Sequence, residues 1–173
     1  MKSKKALSRA LRIIGWTATA LSILMVFGFS SETAAESSAR SRGLSIIIAE
    51  LWHPDLYSLD EAVRASVIYV CQFGVRKLAH YLEYGLIGTL SALTVQTYGI
   101  DQKIKILIPS ALGLAVAILD ELSQNLSAGR GPRFTDVHLD FAGALTAAAG
   151  ISLIFTLISY FRSKKRKAAE AHQ

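Results

Sequence analysis

Apolar residues in this chain come in blocks bordered by charge, without the even rhythm of a water-soluble fold. Residues 11–29 are apolar apart from Arg12 at the edge and a few Ser and Thr. As a helix these nineteen residues reach about 28 Å, close to the thickness of a bilayer's hydrocarbon layer. Similar runs at 80–100, 104–121 and 140–161 give four expected spans. Pro109 falls near the start of the third, where a missing donor is best tolerated. Residues 30–79 form an expected outer loop. Its first part, 30–43, is small and polar, a loop or a solvated helix start. Leu44–Trp52 is apolar but too short to cross, and Trp52-His53-Pro54 reads as a stop at the interface. Ser58-Leu-Asp-Glu61 has capping-box spacing, so a helix is expected there. It carries Val63, Val67, Val70 and Phe73 on one side, while Arg64 and Gln72 make it an interfacial amphipathic helix. A second outer loop is expected at 122–139. Small residues recur four apart, at Gly88 and Ala92, Gly113 and Ala117, Gly143 and Ala147, a spacing that lets helices approach closely in lipid.

Composition agrees with this pattern. The chain has 173 residues, 51% of them apolar, a mean hydropathy of +0.36 and a net charge of +6. Length and pattern predict one all-α integral membrane domain. Much of the basic charge lies in a head, 1–12, and a tail, 162–173, each abutting a span. That placement fits an anionic membrane surface and argues against nucleic acid as the partner. With four spans, the head, the tail and the turn at Lys103 and Lys105 share one side. The positive-inside rule makes that side cytoplasmic. Arg40, Arg42, Arg64, Arg76 and Lys77 sit in a long loop, which weighs less in this rule. The first apolar run exceeds a signal-peptide core, so it is expected to be retained. Cys71 is the single cysteine, so no intrachain disulfide forms.

The remaining polar residues then gather at the outer face. His80, Glu83 and Tyr84 share one helix face, with Arg76 and Lys77 one turn earlier. The third span ends in Asp120 and Glu121, followed by Gln124, a glycine-flanked Arg130, Asp136 and Asp140. Only 14 residues separate Lys105 from Asp120, about 21 Å of helix against a hydrocarbon layer of roughly 30 Å. Asp120 and Glu121 therefore lie below the outer interface, where a carboxylate is a functional candidate by default. His80, Glu83, Asp120, Glu121 and Asp136 are the catalytic candidates. His80 would serve as general acid or base, and Asp120 and Glu121 would orient it or hold a metal. Gln124, Arg130, Arg76 and Tyr84 are the binding candidates. Arg130 either grips a phosphate or carboxylate or neutralises Asp120 and Glu121. A divalent ion is the cofactor that His80, Glu83, Asp120, Glu121, Asp136 and Asp140 would accommodate. Ligand spacing does not indicate one, since His-x-x-Glu occurs once and no zinc-type pattern is present. Ser123, Ser127 and Cys71 lack a nucleophile motif. The bland alternative is a polar network that only fastens helices together.

Arg76-Lys-Leu-Ala-His80, Glu83-Tyr84, Asp120-Glu121, Gln124, Gly129-Arg130, Asp136 and Gly143, taken in order, resemble the VanZ-like family of bacterial membrane proteins. Phe29-Ser-Ser-Glu and Glu36-Ser-Ser resemble that family's first outer loop. Asp140 departs from the pattern, because the family more often has asparagine there. The resemblance implies a multi-span protein of the cell envelope. The family takes its name from a member linked to resistance to the glycopeptide teicoplanin, and no settled activity comes with it. The expected role is in envelope physiology: glycopeptide sensitivity, or handling of a lipid-linked or anionic envelope molecule. The alternative is a non-catalytic binding or scaffold protein. A transporter is disfavoured, because the polar residues lie toward one face and no polar path crosses the spans.

Overall fold

A computed structural model describes residues 2–124 and 133–170 as five α-helices and one short 3-10 turn. The helices are α1 (Lys2–Ser30), α2 (Ala34–Trp52), α3 (Glu61–Gln96), α4 (Gln102–Gln124) and α5 (Phe134–Glu170), with the turn at Leu56–Ser58. Among them α1, α4 and α5 are long and apolar enough to cross a membrane. The expected span at 80–100 falls in the second half of α3 and ends at Gln96. It is less apolar than the other three because it packs against all of them. Its inner face is made of Gly88, Ser91, Ala92, Thr94 and Val95, all buried.

One core unites α1, α3, α4 and α5 through Val26, Tyr84, Ile87, Val116, Ala117 and Ala144. Contacts at the two ends fix the directions. Arg12 of α1 meets Thr97 just beyond α3, and Gln96 and Gln102 both reach Ser152 of α5. At the opposite end Ser30 meets Asp120, and Lys77 and His80 meet Asp136 and Asp140. Thus α1 and α4 run from the Thr97 end to the His80 end, while α3 and α5 run back.

Close approach depends on the small residues. A methyl group on Gly88 would lie 2.4 Å from the Ala144 carbonyl oxygen, and one on Gly113 would lie 2.3 Å from the Ala144 methyl. Ala144 is therefore wedged between glycines of two different helices, as the four-residue spacing anticipates. Near Gly143, Ala144 and Ala148 are buried on α5, while Ala147 is only half-buried. Hydroxyls inside the spans bond back to their own helix. Thr19 donates to the Gly15 carbonyl, Ser91 to that of Ile87, Thr94 to that of Leu90 and Ser110 to that of Ile106. This satisfies polar groups where water is absent.

Several expected boundaries are corrected. Residues 30–79 are mostly helical. Thr33 caps α2 by accepting from the Glu36 N–H, while the Glu36 carboxylate accepts from the Thr33 N–H, a full capping box. The helix expected at Ser58 does start there, but Asp60 is its cap, accepting from the Ala62 N–H at 2.9 Å. The Ser58 hydroxyl instead donates to the Asp55 carbonyl inside the 3-10 turn. The expected interfacial helix and second span are one rod of 36 residues. Arg76, Lys77, His80 and Glu83 interrupt the apolar run, but no proline interrupts the helix. The first half of this rod pairs with α2 around Ala49, Leu56 and Cys71, and Gln72 donates to the Ser38 carbonyl at 2.7 Å. The second outer loop is shorter than 122–139, since α4 continues to Gln124 and α5 begins at Phe134. Helix α5 also continues through the basic tail to Glu170.

Candidate functional site

The polar site sits at the His80 end of the core. The last turns of α1 and α4, the middle of α3 and the first turns of α5 meet there. Lys77, His80 and Tyr84 follow helical spacing along α3, so they face the same neighbours. His80 Nδ1 stands 3.3 Å from Asp140 Oδ1. The two atoms are not aligned for a hydrogen bond, so His80 Nδ1 and both Asp140 oxygens are unpartnered among the described residues. Asp140 is fully buried. A buried carboxylate without hydrogen bonds is rare in a purely structural role.

Asp120, equally buried, is tied in more firmly. Its Oδ2 accepts from the Ser30 hydroxyl at 2.8 Å and from the Gln124 amide at 3.2 Å, while Oδ1 has no partner among the described residues. Tyr84 is wholly buried, and its hydroxyl lies beside Asp120 and Asp140 without a well-aligned hydrogen bond. Glu121 accepts from the backbone N–H of Arg133 with one oxygen, and its other oxygen has no partner among the described residues. Asp136 forms an ion pair with Lys77 and also accepts from the Thr135 hydroxyl at 3.2 Å.

Beside His80 lies a cavity of 230 Å³, closed on one side by the start of α2. Arg40, Arg76, His80 and Glu83 supply its charged lining, and Phe29, Leu44 and Val75 supply much of its apolar lining. The two guanidinium groups differ. Arg40 is held by an ion pair to Glu32 and lies 4.3 Å over the Phe29 ring. Arg76 is half-buried, and among the described residues it has neither a carboxylate nor a hydrogen-bond partner. A separate cleft of 30 Å³, lined by Arg76, Lys77, His80, Arg133 and Asp136, lies nearby. It is large enough for one or two waters. His80 and Arg76 thus border both spaces.

The expected site residues fall into three groups. His80, Glu83 and Arg76 reach the cavity, with Asp140 behind His80. Asp120, Glu121, Gln124, Asp136 and Tyr84 lie in the helix junction below it, where most of their bonds join one chain segment to another. Arg130 lies outside the described residues. No three His, Cys, Asp or Glu side chains among the described residues converge as metal ligands. Sequence reasoning missed three participants: Ser30, Arg40 and the anchoring role of Lys77. Signals for them existed, since Ser30 and the start of α2 belong to the Phe29-Ser-Ser-Glu and Glu36-Ser-Ser stretches.

A model of the VanZ/LLP1 family matches residues 16–158, a stretch that contains every site residue described above. No curated protein and no solved structure matches the chain.

Proposed function

The chain belongs to the VanZ/LLP1 family, and from that footing we propose an envelope protein with four spans and an outward-facing polar site. Both termini would then lie in the cytoplasm. The site acts on, or binds, a lipid-linked or anionic molecule of the envelope. The observation that carries this reading is the pairing of His80 with Asp140. Two helices bring a titratable ring against a fully buried carboxylate that makes no hydrogen bond among the described residues. In this reading His80 exchanges a proton with the ligand, Asp140 orients the ring, and Arg76 attracts negative charge. Glu83, one turn along on the cavity wall, is the second proton carrier.

A non-catalytic reading draws support from a different observation. Lys77 with Asp136, Ser30 with Asp120 and the Arg133 N–H with Glu121 are all ties between separate segments. Abundance and phenotype measured together separate the two. In a strain lacking the protein, complementation with His80→Ala should fail to restore the envelope phenotype, teicoplanin sensitivity included, at normal membrane abundance. A His80→Ala protein that complements fully sinks the site-based reading. One that disappears from the membrane supports the scaffold.

A further inference from the structure

The cavity beside His80 has a composition that selects among ligands. Its charged lining holds two guanidinium groups, Arg40 and Arg76, against one carboxylate, Glu83. Glu32 already neutralises Arg40. Arg76 is the half-buried cation left without an acceptor among the described residues, and a desolvated guanidinium without an acceptor is unfavourable. Its planar donors match a phosphate or carboxylate in paired hydrogen bonds. Phe29, Leu44 and Val75 give the same cavity apolar surface with no hydrogen-bonding capacity, while Ser37 and Ser41 line it from α2.

Volume narrows the choice. At 230 Å³ the cavity falls below the range of about 300–1,000 Å³ usual for drug-sized ligands. A whole glycopeptide does not fit. An anionic group with the first carbons of an apolar chain does, provided the rest of the chain lies outside. We infer that this cavity binds the head of an anionic amphiphile, with its oxyanion on Arg76 and its chain over Phe29, Leu44 and Val75. This inference rests on the proposed outward site and names the class of ligand it takes.

The test uses the full-length protein in a neutral sugar detergent, read by native mass spectrometry. Three probes separate the contributions: phosphatidic acid, diacylglycerol with the same chains, and inorganic phosphate. Phosphatidic acid should be retained best. Diacylglycerol lacks the anion and inorganic phosphate lacks the chain, so each should bind at least about tenfold more weakly, one bidentate contact or one apolar anchor being worth roughly that factor. Arg76→Gln and Leu44→Trp should each reduce phosphatidic acid binding by a similar factor, and Arg76→Lys should restore part of it. Arg162→Gln, in the exposed basic tail, controls for general attraction and should change nothing. Equal binding of diacylglycerol removes the anion from the proposal, and equal binding of inorganic phosphate removes the chain. An Arg162→Gln loss as large as that of Arg76→Gln reduces the whole effect to surface charge and overturns it. His80→Ala leaves Arg76 and the apolar wall in place, so binding should survive it even where complementation is lost. The two readings therefore fail separately.

Discussion

At the Thr97 end of the core, Arg12 donates to the Thr97 hydroxyl and carbonyl and lies 4.0 Å over the Tyr98 ring, and Trp16 donates to the Tyr98 hydroxyl. Gln96 and Gln102 both bond to Ser152. Every polar group named there has a partner. At the His80 end the pattern reverses. Among the described residues, all the buried side-chain atoms without a hydrogen bond belong to Glu32, His80, Tyr84, Asp120, Glu121 and Asp140. Both ends join the same four helices, so satisfying the polar groups was possible at either. One end closes the bundle, and the other keeps unused bonding capacity next to a cavity. Unsatisfied buried groups are unfavourable to folding, and they persist where something besides folding requires them.

The largest effect should come from a change midway that takes down both ends together. Gly88→Leu drives a side chain into the Ala144 backbone, with contacts at 2.4 and 2.8 Å already at the first added carbon. Backbone cannot yield as a side chain tip can, so a loss of about 3 kcal/mol or more is expected. It should appear as missing monodisperse protein after detergent extraction.

At the His80 end, function and stability should part. Asp140→Ala removes a buried carboxylate with no hydrogen bond among the described residues, so the melting temperature in detergent should hold or rise while the envelope phenotype is lost. Asp140→Asn should retain function, because an amide also orients His80. Loss of function in Asp140→Asn with normal abundance would show that the charge, not the orientation, matters there.

At the Thr97 end the prediction is opposite. Arg12→Ala removes two hydrogen bonds and a ring contact, and stability should fall by about 1–3 kcal/mol. Phenotype per molecule should be unchanged once abundance is corrected. If Arg12→Ala instead abolishes the phenotype at normal abundance, the division of labour between the ends is wrong.

The smallest effect lies at the start of α2. Thr33→Ala should weaken the cap by about 1 kcal/mol and speed amide exchange in the first turn of that helix. The backbone N–H and hydroxyl of Thr33 hold the Glu36 carboxyl below its usual value. A carboxyl depressed in the fold stabilises above its unfolded-state value, and that contribution fades as pH falls through the folded-state value. Acidification through the carboxylate range should therefore speed the same amides, and Thr33→Ala, which keeps the backbone N–H and loses only the hydroxyl, should reduce that dependence without abolishing it.

Apolar blocks at 11–29, 104–121 and 140–161 were legible because lipid exposure demands long runs of apolar side chains. The second half of α3 was legible through Gly88 and Ala92. The capping box of α2 was equally readable in Thr33-Ala-Ala-Glu36, but the small polar residues around it resemble a loop. The continuity of α3 was hidden because a change of polarity within a helix looks like the end of one. In the site, His80, Asp120 and Asp136 declare themselves as charges between apolar runs. Ser30 and Arg40 do not, since a serine after a span and an arginine in a polar stretch are ordinary. Arg40 reaches the site only because α2 folds back beside α3, and Ser30 only because α1 ends against α4.

That fold-back leaves α3 as a single stiff rod of 36 residues, about 54 Å from end to end. Its far half is wedged among three neighbours, its near half is gripped by α2, and His80 is mounted close to the middle. A beam held this way has its fulcrum near the imidazole, so a push on the α2 hairpin arrives there as a tilt.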